Sequence, residues 1–209
     1  RTPMLFALGF ISMFTLGGIT GVMHSVAPSD AQQQDTYFIV AHIHYVLFGG
    51  AIFALMGGIY YWFPKFSGKM YNEFLGKAHF WIMTIGFNLS FFPMHFAGMY
   101  GMPRRIYIYN EGMGWEIYNM MSTVGAFIMA FSFLIFIYNI VTSWKNGENA
   151  PNDPWDARTL EWSISSPPPE YNFVNIPAVS TIDAWWNTKH GNSSHLPQPA
   201  SGGSYDNEK

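Results

Sequence analysis

Four long stretches free of Asp, Glu, Lys and Arg constrain the fold of this chain more than any other feature of its sequence. They cover residues 3–25, 36–63, 78–102 and 117–144. A helix needs about 20 mostly apolar residues to cross the hydrocarbon core of a bilayer, and backbone polar groups in lipid must be satisfied within the segment. The sequence therefore predicts an all-α integral membrane fold with four transmembrane helices.

The charged residues divide the chain into two parts. They make up 11% of the sequence, against roughly 25% in an average soluble protein. The last 65 residues carry 12 charged residues, whereas the first 144 carry 11. We therefore expect a four-helix transmembrane portion over 1–144. Over 145–209 we expect an extended, partly disordered tail, because this segment is rich in Pro, Asn, Ser and Gly.

Composition also excludes several functional classes. The net charge is −3 and there is no basic run, so the chain lacks the electrostatic footprint of a nucleic-acid partner. The absence of cysteine excludes disulfides, iron–sulfur clusters and covalent attachment of c-type haem through this chain. Any metal or haem must be held by His, Met, Tyr or carboxylate side chains.

Lysines in the connecting segments orient the chain in the membrane. Lys65, Lys69 and Lys77 follow the second apolar stretch, and Lys145 follows the fourth. Cytoplasmic loops carry an excess of Lys and Arg. We therefore expect these ends, and the tail with them, on the cytoplasmic side, or on the matrix side in a mitochondrion.

Two histidines lie inside the second apolar stretch, in the string Ala41-His42-Ile43-His44-Tyr45. Ionisable groups at membrane depth are costly and face a cavity, a partner or a cofactor. Residues two apart on a helix diverge by about 200°, so these imidazoles cannot share one metal. The spacing favours two cofactors on opposite faces of one helix, each with an axial imidazole, which is an electron-transfer arrangement.

The other histidines carry a weaker signal. A single histidine within a span is often a hydrogen-bonded structural residue, and this alternative also stands for either member of the pair taken alone. We expect His24, His79 and His95 to be structural, and His190 and His195 in the tail to be solvated.

A pair of arginines, Arg104 and Arg105, lies on the side of the membrane opposite the lysines. A guanidinium offers planar, bidentate donors to carboxylates, and haem propionates are carboxylates. The alternative is pairing with lipid phosphate or with Asp30 and Asp35. The Asp35 carboxylate can cap the helix that starts nearby or bind a hard cation such as Mg²⁺, and residue chemistry alone favours the cap.

Several strings together resemble one family. They are DTYFIVAHIHYV at 35–46, GGITGV at 17–22, NLSFFPMH at 88–95, GMPRR at 101–105, and NDPW followed by TLEWSISSPPPEYNF in the tail. The chain resembles the C-terminal part of subunit I of haem-copper oxidases, close to the cytochrome c oxidases. The resemblance covers the last four of twelve transmembrane helices in a larger bundle, plus the tail.

The resemblance implies roles for the singled-out residues. His42 matches the axial ligand of the high-spin haem at the oxygen site, and His44 matches an axial ligand of the low-spin haem. Arg104 and Arg105 match the arginines that hydrogen-bond the haem propionates.

The resemblance also implies a Mg²⁺ site beside the propionates. Asp35 matches a ligand of that ion, and Asp30 matches a member of the same polar cluster. Gln34 stands where the family usually has a histidine ligand. Its amide carbonyl oxygen is a ligand type that suits Mg²⁺.

The implied activity belongs to a larger assembly. The family's copper ligands lie in earlier helices, so we expect either a truncated sequence or a subunit split between two chains, and the opening Arg1 favours truncation. The expected partners are the N-terminal part of subunit I, oxidase subunits II and III, cytochrome c and the lipid membrane. The expected location is a prokaryotic plasma membrane or the mitochondrial inner membrane.

The implied function is electron transfer from cytochrome c to a haem-copper centre that reduces O₂ to water and pumps protons. Asp35 favours cytochrome c slightly, because quinol oxidases often carry Asn at that position. Three alternatives stay open: a quinol oxidase of the same superfamily, a haem-free transporter with intramembrane histidines, and a non-catalytic structural subunit.

Overall fold

A computed structural model describes residues 1–174, 176, 177, 179 and 181–191 of the chain, so His195 lies outside the described residues. Within them the structure is helical, with two isolated β-bridges and no longer strand. The helices are α1 (Thr2–His24), α2 (Ala27–Gln33), α3 (Tyr37–Leu47), α4 (Phe53–Ser67), α5 (Glu73–Met99), α6 (Glu116–Asn146) and α7 (Ala184–His190). A 3₁₀ turn covers Leu160–Ser163.

Three helical segments are long and apolar enough to cross a membrane: α1, the continuous run Tyr37–Ser67, and α6. The predicted all-α integral membrane fold is therefore confirmed. The third predicted span, residues 78–102, corresponds to α5, which has 27 residues and ample length. It is not among the segments that qualify as spans by length and composition, and polar residues such as Asn88 and His95 lie within it.

The second span contains a wide π-helical turn at Phe48–Ile52 that joins α3 to α4. Gly49 lies in this turn, and a Cβ at that position would be 2.7 Å from the Met13 Cβ, so close contact with α1 requires glycine there. The charge-free stretch ends at residue 63, but the helix continues through Pro64 to Ser67. Proline removes one backbone donor, whereas its own carbonyl still accepts a hydrogen bond from Gly68.

Helix α5 is the common neighbour of α1, α3 and α6. It packs most extensively on α6, where Gly86 faces the backbone of the partner helix. A Cβ on Gly86 would lie 2.7 Å from the Met129 nitrogen. Small residues at this interface let the two backbones approach closely, as is typical of helices in membranes.

Helix α7 and the 3₁₀ turn belong to a second compact unit, formed by residues 63–70 and the described residues from 148 onward. The buried Lys65 ammonium donates to the carbonyls of Asn152 and Ile164 at 3.0 and 2.8 Å. It also lies 5.1 Å from the ring of Trp162. These contacts organise a segment for which the sequence predicted extended structure.

The end of the second unit is held by charge. Lys189 on α7 donates to Asp153 and Asp156 at 2.6 and 2.7 Å. His190 lies 3.0 Å from Asp156 and packs against Trp186. The His190 residue is exposed, as expected, and a carboxylate and an indole ring also contact its imidazole.

Candidate cofactor-binding site

Helix α3 directs His42 towards α1. The Nδ1 atom of His42 lies 3.0 Å from the Gly17 carbonyl oxygen and 2.9 Å from the Thr20 hydroxyl oxygen. A carbonyl oxygen can only accept, so Nδ1 carries the proton and donates. The Thr20 hydroxyl in turn donates to the Gly17 carbonyl at 2.8 Å. This arrangement leaves the Nε2 lone pair of His42 as the acceptor or metal-ligating atom.

His44 is held on the side of α3 that meets α5. Its Nδ1 atom lies 2.7 Å from the Val40 carbonyl oxygen, one helical turn earlier on the same helix. The imidazole stacks on the ring of Phe91, with ring centroids 4.2 Å apart and planes inclined by 13°. The same tautomer argument applies, so Nε2 of His44 also carries the free lone pair.

The two imidazoles thus share one local design on different sides of α3. In each, a backbone carbonyl fixes the Nδ1 proton and so orients Nε2, which is how proteins prepare a histidine to bind a metal. Neither ring is fully buried by this chain. A single neutral imidazole nitrogen per site suits an axial bond to haem iron, so the donor set fits one porphyrin at each histidine.

A network of hydrogen bonds joins the segment before α3 to the segment after α5. The backbone nitrogen of Arg104 donates to the Asp35 carbonyl at 2.8 Å, and the Arg104 Nε donates to an Asp35 carboxylate oxygen at 2.7 Å. Tyr37 N donates to the Met102 carbonyl at 2.9 Å. The chain reverses at Asp35 and at Arg105 with φ of 60° and 66°, in the left-handed region. These contacts place both arginines near the start of α3.

The cap expected at Asp35 is wrong. The N-cap of α3 is Thr36, whose hydroxyl oxygen accepts from the Phe38 nitrogen at 3.2 Å. The Asp35 carboxylate instead pairs with Arg104, in agreement with one of the two alternatives for the arginines. Arg105 is exposed and makes no ion pair among the described residues. Its guanidinium therefore remains available to an anionic group.

Asp30 and Gln34 lie on and just after the short helix α2. The Gln34 side chain is exposed, and its backbone nitrogen donates to the Asp30 carbonyl at 2.8 Å. In the part of the chain that the structure describes, no three His, Asp or Glu side chains gather closely enough to hold a metal ion. Within that described part, Asp30 and Asp35 are therefore not joined by a third His, Asp or Glu side chain.

The remaining intramembrane histidines make contacts of a structural kind. His24 meets the His42 ring edge-on at 4.9 Å. His95 lies 4.9 Å from the ring of Phe38. His79 is fully buried, and its Nδ1 lies 3.1 Å from the Tyr60 hydroxyl oxygen.

Two residues that shape the site were missed by the sequence reasoning. Thr20 is 22 positions from His42, and Phe91 is 47 positions from His44. No local pattern connects residues so far apart. The string NLSFFPMH contains Phe91, but a phenylalanine in an apolar run is the expected content of any membrane helix.

The fold and these side chains define a class: helical membrane proteins that present two separate imidazole nitrogens from one spanning helix. The chain belongs to the haem-copper oxidase subunit I family, since residues 1–128 match the family described as Cytochrome C and Quinol oxidase polypeptide I. The predicted family resemblance is therefore confirmed. Members of this family include both cytochrome c oxidases and quinol oxidases.

Named relatives bear this out. The chain is 52% identical over 186 residues to cytochrome c oxidase subunit 1 of Bacillus sp. (strain PS3). The aligned region covers 88% of this chain and 30% of the relative. It is 48% identical over 200 residues to quinol oxidase subunit 1 of Bacillus subtilis. Here the aligned region covers 94% of this chain and 31% of the relative. The chain thus spans about a third of the length of these relatives.

A solved structure shares the fold. A cryo-EM structure of a heme-copper terminal oxidase dimer matches with a TM-score of 0.63 at 17% identity, over 72% of this chain and 28% of that chain. Taken together, the helices and the relatives make this an integral membrane protein of the oxidase family.

Proposed function

We propose that this chain forms part of the catalytic subunit of a terminal respiratory oxidase that takes electrons from cytochrome c, reduces O₂ to water and pumps protons. One observation carries the proposal: His42 and His44 present two carbonyl-anchored imidazoles on different sides of one membrane helix. A proton relay would not need two histidines with matching Nδ1 anchors that leave both Nε2 atoms uncommitted.

In this proposal His44 Nε2 would hold the iron of a low-spin haem, and His42 Nε2 would hold the iron of a high-spin haem. When bound, the two haems and a copper ion supply the redox chemistry of electron transfer and O₂ reduction. Copper would be held by residues outside this chain. Only Ile43 separates the two histidines on α3, so the covalent path between the groups that they would hold is short.

Arg104 and Arg105 are proposed to hold the haem propionates. The exposed guanidinium of Arg105 supports this role because the described residues give it no carboxylate partner. Arg104 is tied to Asp35, which positions it at the start of the helix that carries both histidines. Asp35, Gln34 and Asp30 are proposed to line a Mg²⁺ site that other parts of the oxidase complete.

A quinol oxidase is the second candidate, since the Bacillus subtilis quinol oxidase subunit matches as broadly as the cytochrome c oxidases do. The partners proposed are the N-terminal part of subunit I, subunits II and III, and a membrane that is prokaryotic or mitochondrial. Purified oxidase supplied with reduced cytochrome c or with a quinol, in separate assays, distinguishes the two donors.

The haem assignment is tested by replacing His44 with Leu in the whole oxidase and recording the reduced-minus-oxidised spectrum. We expect the low-spin haem bands to disappear, whereas His190→Leu, which alters a histidine of the tail, should leave them intact. An assembled His44→Leu oxidase with unchanged low-spin bands would show that this chain does not ligate the low-spin haem.

A further inference from the structure

The imidazole of His44 is restrained in two independent ways. The Nδ1 hydrogen bond to the Val40 carbonyl, at 2.7 Å, fixes the direction of the ring within its own plane. The face-to-face contact with Phe91, at 4.2 Å and 13°, restricts rotation of the ring out of that plane. The second restraint matters because the torsion between Cβ and the ring of a histidine is intrinsically broad.

Phe91 is itself fixed in place. Its side chain is 8% exposed, and it lies on α5 among other aromatic rings. Its ring centroid is 5.1 Å from that of Phe87 and 6.1 Å from that of Phe48. Interiors packed at this density leave little room for a ring to turn. Phe91 therefore presents a fixed ring to one face of the His44 imidazole.

We propose that Phe91 is a positioning residue for His44 and sets the plane of its imidazole about the bond from Nε2 to the low-spin haem iron. The inference rests on the proposed function, because it takes His44 to be that ligand. Ligand orientation and the apolar shell are among the means by which a protein adjusts a haem. Phe91 acts on both, since its ring fixes the orientation and excludes water from one face.

The test uses the whole oxidase with Phe91→Leu and Phe91→Met, which keep apolar volume but remove the planar face. The readout is the electron paramagnetic resonance spectrum of the oxidised low-spin haem, whose g values report the orientation of the axial ligands. We expect both variants to shift and broaden these g values, and Phe91→Tyr to restore the wild-type spectrum.

Phe92→Leu is the matched control. It removes the next aromatic ring on α5, but the Phe92 side chain is 52% exposed and its ring contacts are with His95 and Phe96. Its spectrum should equal that of the wild type. A further variant, Phe48→Leu, removes one support of Phe91 without touching His44 and should shift the g values less than Phe91→Leu does.

Unchanged g values in assembled Phe91→Leu or Phe91→Met oxidase overturn the inference. If neither variant assembles, an unchanged spectrum in Phe48→Leu overturns it instead. Failure of the underlying assignment looks different, since His44→Leu would then keep the low-spin haem whatever Phe91 does.

Discussion

The Nδ1 atom of His42 lies 2.9 Å from the hydroxyl oxygen of Thr20, on a different membrane helix. The two residues are 22 positions apart, and the contact ties the proposed haem ligand on α3 to α1. Because the Gly17 carbonyl also accepts from Nδ1, removal of the Thr20 hydroxyl leaves the tautomer of His42 unchanged. The hydroxyl therefore tunes the electron density of the imidazole without being essential to its orientation.

Thr20→Val should weaken the bond from His42 Nε2 to the high-spin haem iron, because an imidazole with fewer acceptors at Nδ1 is a poorer donor at Nε2. We expect a lower iron–imidazole stretching frequency in the resonance Raman spectrum of the reduced oxidase. We also expect a loss of stability of about 1 kcal/mol, the net worth of one hydrogen bond. Thr20→Ser keeps the hydroxyl and serves as the control; equal frequencies in all three proteins would contradict the prediction.

The two arginines differ in their contacts with the rest of the chain. Arg104 is bound to Asp35 through its backbone and its side chain, whereas Arg105 makes no ion pair within the described part of the chain. We expect Arg105→Gln to lower the midpoint potentials of the haems. A cation beside the propionates favours the reduced haem, which carries less positive charge, so its removal favours the oxidised form. The measurement is a redox titration of the whole oxidase followed by its haem absorbance.

Arg104→Gln should change the haem potentials and also loosen the junction between the segments before α3 and after α5. The ion pair with Asp35 is partly exposed, so its own contribution to stability is at most about 1 kcal/mol. If neither arginine variant moves a potential, the lipid-phosphate interpretation of the pair is preferred.

Long, charge-free stretches were sufficient to predict the helical membrane fold, because an apolar segment of about 20 residues in lipid satisfies its backbone polar groups internally by forming a helix. The spacing of His42 and His44 likewise predicted that they would face different ways, because helical periodicity is local. Contacts between distant residues, such as those of Thr20 and Phe91, depend on which helices pack together. A single sequence does not specify that packing.

The cap of α3 shows how two adequate residues compete. Asp35 and Thr36 are both good N-cap types. The pairing of Asp35 with Arg104, and the left-handed φ of 60° at Asp35, leave Thr36 in the extended conformation that an N-cap requires. The partner that decides this outcome lies 69 residues away, so the choice was not visible in the local sequence.

Docking of α7 should depend on pH. The pKa of Asp156 is lowered chiefly by the hydrogen bond from Lys189 and then by that from His190. At Asp153 burial acts to raise the pKa, but hydrogen bonds from Ala157 and Lys189 together lower it. Since both folded-state pKa values lie below the unfolded value of about 3.9, their stabilisation is present above that pH and is lost as the pH falls through the folded values.

The contribution of Lys189 to the same contact depends on pH in the opposite direction. Burial acts to lower the pKa of Lys189, but the hydrogen bonds that its ammonium donates to Asp153 and Asp156 raise it above its ordinary value. Its contribution is therefore complete below the unfolded pKa of about 10.4 and is lost as the pH rises through the folded value. The protection factors of the α7 amides in the whole oxidase, which are the intrinsic exchange rates at each pH divided by the observed rates, should be high between these limits and fall at either extreme.

Lys189→Met should weaken that pH dependence and lower the protection of α7 throughout the range. The two carboxylates would lose the ammonium but keep their contacts with Ala157, Trp185 and His190. Lys145→Met is the control, because Lys145 is an exposed residue that makes no ion pair within the described residues. Exchange in the Lys189→Met oxidase that matches the wild type at neutral pH would show that aromatic packing, rather than charge, holds α7.

The glycine at the α5–α6 interface should be far less tolerant of a methyl group than a glycine on the outer face of α1. In Gly86→Ala the new Cβ would lie 2.7 Å from the Met129 nitrogen, so the helices must separate. Overpacking of this kind costs about 1–3 kcal/mol. Gly18→Ala is a matched control, since nothing lies within 4 Å of a Cβ at that position. Thermal unfolding of the solubilised oxidase should show a lower midpoint for Gly86→Ala and an unchanged or slightly raised midpoint for Gly18→Ala, and equal midpoints would mean that α5 and α6 are not packed through Gly86.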